Sequence, residues 1–147
     1  MRITLLKSKL HGATVTGSAL DYEGSISLGP ELCRLARLRE FERVEVYNCH
    51  NGARFSTYVI LGSRPGEVVV NGAAARLVQP GDRIIVAGFA EFTPAEARWH
   101  RPAVVLLDSR NGAKLKPIAA RNAGSRSGDN AALRPRRRKP ETNPGSM

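Results

Sequence analysis

Apolar and polar residues alternate along residues 43–47 and again along 54–61, the two-residue period of a strand with one face in a core. Between them, Asn51-Gly52 tolerates the positive φ of a tight turn, so the two segments are predicted to pair as a hairpin. Shorter extended stretches are predicted at 2–6, 13–16, 25–28, 67–70, 83–87 and 104–107, with Pro80-Gly81-Asp82 turning the chain into the fifth of these. Two segments depart from this period. Leu32, Leu35 and Leu38 recur every three residues behind Pro30, a residue suited to a first helical turn, which predicts a helix over 30–38 with one apolar face. A second short helix is predicted over 94–99. Seven or so short strands with two small helices describe a compact, mainly β barrel.

Composition agrees with one domain of this kind. In a chain of 147 residues that is 41% hydrophobic but only 5% aromatic, the core must be built from Val, Leu, Ile and Ala, which suit the pleated surface of short strands. After about Asn111 the pattern dissolves into small and polar residues and ends in the basic run RPRRRKP at 134–140. Such a segment has too little apolar surface to offset the entropy of ordering it. The expected division is a folded domain at 1–113 and a disordered tail at 114–147.

Charge divides in the same place. Residues 1–113 carry 14 Lys and Arg against 11 Asp and Glu, whereas 114–147 carry 9 against 2, so most of the formal +10 belongs to the tail. The domain itself is nearly balanced, and its phenylalanines, Phe41, Phe55, Phe89 and Phe92, are too scattered to form a stacking platform; a nucleic-acid partner is not expected. Cys33 and Cys49 are too few for a disulfide scaffold, the N-terminus lacks a secretion pattern, and no apolar run approaches the roughly 18 residues of a membrane span. A cytoplasmic chain with no membrane contact is expected.

Familiar catalytic signatures are missing. His11, His50 and His100 lack metal-ligand spacing to one another or to the cysteines, so no metal site is expected. There is no GxSxG elbow, phosphate-binding loop or dinucleotide fingerprint. What remains is Tyr22-Glu23-Gly24-Ser25, a polar turn ahead of a predicted strand. A Gly-Ser pair is ordinarily just a turn. Yet a serine hydroxyl can attack the carbonyl before it when the backbone is strained, and glycine permits such strain. The peptide becomes an ester, elimination across Ser25 releases a chain ending in the Gly24 carboxylate and leaves a dehydroalanine, and water converts that to an N-terminal pyruvoyl group with loss of ammonia.

YEGS at 22–25 occurs together with KLH at 9–11, NGARFSTY at 51–58 and NGAAA at 71–75. These four motifs, in this order, resemble the aspartate 1-decarboxylases, and the similarity runs from about Met1 to Asp108. The resemblance implies a small six- to seven-stranded double-psi β-barrel with two or three short helices, assembled as a homotetramer. It also implies self-cleavage between Gly24 and Ser25 into chains of residues 1–24 and 25–147, aided in some relatives by a helper protein. The reaction implied is loss of the α-carboxyl group of L-aspartate as carbon dioxide, giving β-alanine for pantothenate and coenzyme A.

The resemblance also assigns roles. The pyruvoyl group from Ser25 replaces pyridoxal phosphate as the electron sink by condensing with the substrate amine. Lys9 and Arg54 match positions that hold carboxylates, Arg54 by a two-pronged grip. Tyr58 matches the proton donor and Thr57 the residue that polarises the Gly24 carbonyl and contacts substrate. Gly72, Ala73 and Ala74 match a segment whose amides line the pocket, with Asn71, Tyr22 and His11 in supporting positions. Thr57 and Tyr58 should face opposite ways in a regular strand, so their joint service requires twist, a bulge or a subunit boundary. The competing expectations are a nucleic-acid-binding barrel using the basic tail and a barrel that keeps the fold without maturing.

Overall fold

The computed structural model describes residues 1–114; the rest of the tail, with the disorder expected for it, lies outside the described residues. In chain order the elements are β1 (Ile3–Thr14), β2 (Gly17–Ala19), β3 (Ser25–Leu28), α1 (Pro30–Ala36), β4 (Arg43–Asn48), β5 (Arg54–Leu61), β6 (Val68–Asn71), a 3-10 helix (Gly72–Leu77), β7 (Arg83–Phe92), α2 (Pro94–Trp99) and β8 (Ala103–Leu106). The protein is mainly β, with eight strands where six or seven were expected. They form one mixed sheet in the order β2-β6-β3-β5-β4-β7-β1-β8 around a single apolar core, a small β-barrel.

The two strands expected at 2–6 and 13–16 are one strand. β1 runs antiparallel to β7 for twelve residues, with register shifts between Leu6 and Ser8 and between His11 and Ala13. Lys7 and Gly12, the latter at φ +78°, are the extra residues. Each bulge absorbs one residue and restores the phase, so the alternation is interrupted without the strand ending. β2 escaped the sequence reading because Gly-Ser-Ala carries no apolar signal; its parallel pairing with β6 sustains it. Just before it, Thr16 is bound reciprocally to Val68: its amide and hydroxyl donate to the Val68 carbonyl at 2.8 and 3.0 Å, and its hydroxyl accepts from the Val68 amide at 3.0 Å.

The predicted hairpin forms, β4 pairing with β5 from Arg43↔Tyr58 to Tyr47↔Arg54, and Gly52 takes φ +74°. α1 starts at Pro30 as expected and buries Leu32, Cys33 and Ala36. It stops at Ala36 rather than residue 38, because Arg37 turns left-handed (φ 54°) and the amides of Arg37 and Leu38 close onto the carbonyls of Arg34 and Cys33. Leu38 still reaches the core. Fully buried Leu10, Ile26, Leu28, Val46, Val70, Ile84 and Val86 join it from β1, β3, β4, β6 and β7, each contributing roughly 1.5–3 kcal/mol of transfer free energy.

Order continues past Asn111, where the sequence pattern ended. The Asp108 carboxylate accepts from the amides of Arg110 and Gly112, both at 2.8 Å, and the Lys114 amide donates to Leu106 at 2.8 Å. Asn111, buried and left-handed at φ 61°, accepts from the Thr14 amide (2.7 Å) and donates to the Thr14 and Gly66 carbonyls (2.9 and 2.8 Å). A turn built from side-chain hydrogen bonds leaves no hydrophobic period to read. No helix among the described residues is long and apolar enough to cross a membrane.

Candidate active site

The Gly24-Ser25 bond lies where the chain passes from solvent into the sheet. Gly24 is exposed in the turn, whereas Ser25, the first residue of β3, has no exposed surface. β3 is flanked by β6 and β5, so Ser25 has a neighbour on each side. On β6 its register partner is Asn71, buried to 3% exposure. The Asn71 Nδ2 donates to Ser25 Oγ at 3.0 Å and to Ser27 Oγ at 3.2 Å, and Ser25 Oγ donates a long bond of 3.4 Å to the Glu23 carbonyl. The hydroxyl oxygen that would have to act on Gly24 is thus held by a fixed amide donor.

Immediately after Asn71 the backbone closes on the same turn. Gly72 has φ +68°, and a methyl group added there would lie 2.7 Å from the Gly24 Cα, 3.0 Å from the Gly24 nitrogen and 3.1 Å from the Tyr22 carbonyl oxygen. Only a residue without a side chain allows this contact. Gly24 differs, since a methyl on it would meet nothing within 4 Å. The turn is closely approached on one side and open on the other.

On the other flank, β5 runs parallel to β3 with Ile26 opposite Val59, so Ser25 and Tyr58 hold matching positions one step earlier. Tyr58 is 37% exposed and Thr57 half-buried; their alternation follows the regular strand, and no bulge brings both to one face. Among the described residues the Thr57 hydroxyl makes no hydrogen bond. Arg54 opens β5, exposed, its guanidinium 4.3 Å from the centre of the Tyr47 ring.

Lys9 and His11 share one face of β1, which is separated from β3 by β7, β4 and β5. Burial holds the His11 imidazole below its ordinary proton affinity, with Lys9 and then Arg83 adding to the effect. Tyr22 is largely exposed in the turn, Ala73 is exposed and Ala74 half-buried in the 3-10 helix. The chain therefore gathers Gly24, Ser25, Asn71 and Gly72, sets Tyr58 on the adjoining strand, and leaves Lys9, His11 and Arg54 elsewhere on the sheet. Ser27 and the Glu23 carbonyl also touch the centre; Glu23 was read only as part of the YEGS turn, and Ser27 was not singled out, because a serine inside a strand has no spacing signal. Three surface clefts, of about 450, 250 and 480 Å³, are lined by other residues. No group of three His, Cys, Asp or Glu that could hold a metal occurs among the described residues.

A family model described as aspartate decarboxylase matches residues 1–114. Among curated relatives, the aspartate 1-decarboxylase of Bdellovibrio bacteriovorus is 51% identical over 111 residues, covering 76% of this chain and 89% of its own. That of Pelotomaculum thermopropionicum is 54% identical over 112 residues, 76% of this chain and 85% of its own. That of Maricaulis maris is 51% identical over 121 residues, 82% of this chain and the whole of its own. The match spans every described strand and both halves of the Ser25 centre: this chain belongs to the aspartate decarboxylase family.

Proposed function

We propose that the protein cleaves itself between Gly24 and Ser25, converts Ser25 to a pyruvoyl group, and then decarboxylates L-aspartate to β-alanine and carbon dioxide for pantothenate synthesis in the cytoplasm. The observation that carries this reading is the contact of Asn71-Gly72 with Gly24-Ser25: a buried serine oxygen gripped by an amide donor, next to an exposed glycine that the Gly72 backbone approaches too closely for a side chain to stand between them. In this reading the continuous chain is the precursor. The family match over residues 1–114 agrees, to within a residue, with a catalytic unit of 1–113 and leaves the basic run at 134–140 outside it.

Ser25 suits the group it would become. It has no exposed surface, so a carbonyl at its position is screened from bulk water, and Asn71 remains beside it as a hydrogen-bond donor. A pyruvoyl group at Ser25 would supply a ketone, the electron sink that decarboxylation of an amino acid needs. The chain's own residues bind, orient and protonate. Arg54 and Lys9 hold the two carboxylates, Arg54 with a planar fork and Lys9 as a point charge. Tyr58, level with Ser25 on the next strand, returns a proton through its phenol. Thr57 polarises the Gly24 carbonyl in the precursor and later contacts substrate, while the amides of Gly72, Ala73 and Ala74 face a carboxylate. Asn71, Tyr22 and His11 support this set.

The separation of Lys9 and His11 from Ser25 by three strands supports a site completed between copies of the chain, and the family resemblance makes that assembly a homotetramer. Such an arrangement also accommodates Thr57 and Tyr58 on opposite faces of β5. A helper protein for cleavage is compatible with the exposed turn.

Mass spectrometry of the purified protein tests the proposal. The expected result is two fragments, 1–24 and 25–147, the larger blocked by a carbonyl that reacts with hydrazines, and a Ser25→Ala variant that stays uncut and inactive. A chain that remains whole and unreactive after prolonged warming with a helper supplied would overturn it.

A further inference from the structure

The 480 Å³ cleft at the end of α1 shares no residue with the candidate active site. Its size suits a small molecule. It lies between the C-terminal end of α1, the end of β7 and the segment after α2, and it is lined by five cations, Lys7, Arg34, Arg37, Arg39 and Arg101, with no carboxylate among its lining residues. Two of the five are neutralised from outside the cleft: Arg34 pairs with Glu31 at 2.7 Å and Lys7 with Glu42. The side chains of Arg37 and Arg39 form no ion pair among the described residues, and Arg101 donates only to the His100 carbonyl, at 2.8 Å.

Arg37, Arg39 and Arg101 thus bring three guanidinium groups with no ion pair of their own to one cleft, although the Glu42 carboxylate lies close by, accepting from the Arg39 amide at 3.0 Å, and an anion bridging these groups would gain Coulomb attraction from each. Arg37 occupies the left-handed position that ends α1, where glycine is the ordinary choice, so a charged side chain is displayed at some conformational cost. The floor of the cleft is apolar. Leu38 and Phe92 line it, with the buried Cys33 thiol, whose ionisation burial and Glu40 push up to about 11, so it remains uncharged. The His100 ring stacks on Phe92 at 4.2 Å and is fixed by a 2.7 Å hydrogen bond between Nε2 and the Leu6 carbonyl, which places the proton on Nε2. Guanidinium forks match phosphate oxygens, and an apolar, ring-bearing floor matches an attached base or other flat group.

We propose that this cleft binds an oligophosphate, either free or carried by a nucleoside. Titration calorimetry on the full chain at low salt uses ATP, inorganic tripolyphosphate and adenosine as probes. Saturable binding of ATP and tripolyphosphate in mutual competition, weakening as salt rises and absent for adenosine, is the expected result. Tighter binding of ATP than of tripolyphosphate assigns the nucleotide as the source; equal binding assigns the free oligophosphate. A double variant, Arg37→Gly with Arg39→Gln, removes two charges while glycine preserves the left-handed turn, and it should weaken both ligands by roughly tenfold or more. Arg101→Gln alone should weaken them to a lesser degree, and Arg110→Gln, an exposed charge outside the cleft, should leave them unchanged. No saturable binding to the natural chain, or binding that the double variant retains in full and so belongs to the basic run at 134–140, overturns the proposal.

Discussion

Gly24 and Gly72 lie close together, yet the same substitution should be costly at one position and nearly neutral at the other. At Gly72 an alanine must hold φ +68°, which costs roughly 1–2 kcal/mol for a residue with a Cβ. Its methyl would also stand 2.7 Å from the Gly24 Cα and 3.1 Å from the Tyr22 carbonyl oxygen, backbone atoms that cannot swing aside as a flexible side chain would. Overpacking of this kind costs about 1–3 kcal/mol. The sum, about 2–5 kcal/mol, corresponds to a melting temperature lower by roughly 10 °C or more in a domain of this size. At Gly24 the backbone is not left-handed and a methyl meets nothing within 4 Å, so alanine should change stability by no more than about 0.5 kcal/mol. Both variants are best made in a Ser25→Ala background, so that the chains compared are uncut and differ only in fold stability. Calorimetric or circular-dichroism melting then gives the answer. Equal melting temperatures for Gly24→Ala and Gly72→Ala would refute the argument that the two backbones are in forced contact.

Tyr58→Phe should still split at Gly24-Ser25 but lower kcat by roughly 10²–10⁴-fold, measured as β-alanine release; full turnover would remove the phenol from proton transfer. Asn111→Ala should lose three hydrogen bonds and force alanine into a left-handed conformation, costing about 2–4 kcal/mol in urea denaturation; an unchanged midpoint would show that the Thr14–Gly66 clasp is dispensable. The His11 ring, followed by NMR, should titrate below its ordinary 6.5, and Lys9→Met should raise that value without restoring it, because burial is the larger cause. Since folding lowers the proton affinity of His11, its contribution to stability is intact above pH 6.5 and lost as pH falls from there through the folded value. A midpoint at or above 6.5 would contradict the burial argument.

The parts of the fold that could be read in the sequence are those whose cause is local. The β4–β5 hairpin follows from alternation around Asn51-Gly52, and α2 follows from Thr93 and Glu96, which form a reciprocal cap. β1 could not be read as one strand, because its bulges at Lys7 and Gly12 scramble the period while its hydrogen bonds to β7, far along the chain, keep it intact. The same limit applies to the site. Ser25 and Asn71 were singled out as parts of motifs, but that they share a hydrogen bond is a property of the β3–β6 register. Gly72 was read as one of the pocket-lining amides; its close approach to Gly24 depends on a backbone angle and a neighbour 48 positions away. Arg54, Lys9 and His11 show the converse, since they read as one motif set and stand apart in the folded chain.

The place of the Gly24-Ser25 bond has a further bearing on how the protein could be made and unmade. The segment 1–24 contributes β1, which pairs with β7 along its whole length and with β8 in parallel, and β2, which pairs with β6. A cut after residue 24 would leave that segment threaded through the barrel and held by noncovalent bonds alone. Unfolding would then release two chains instead of one, and their reunion would depend on concentration and find no serine with which to repeat the chemistry. Assembly would have to precede scission, and heat would inactivate the mature protein in one direction only.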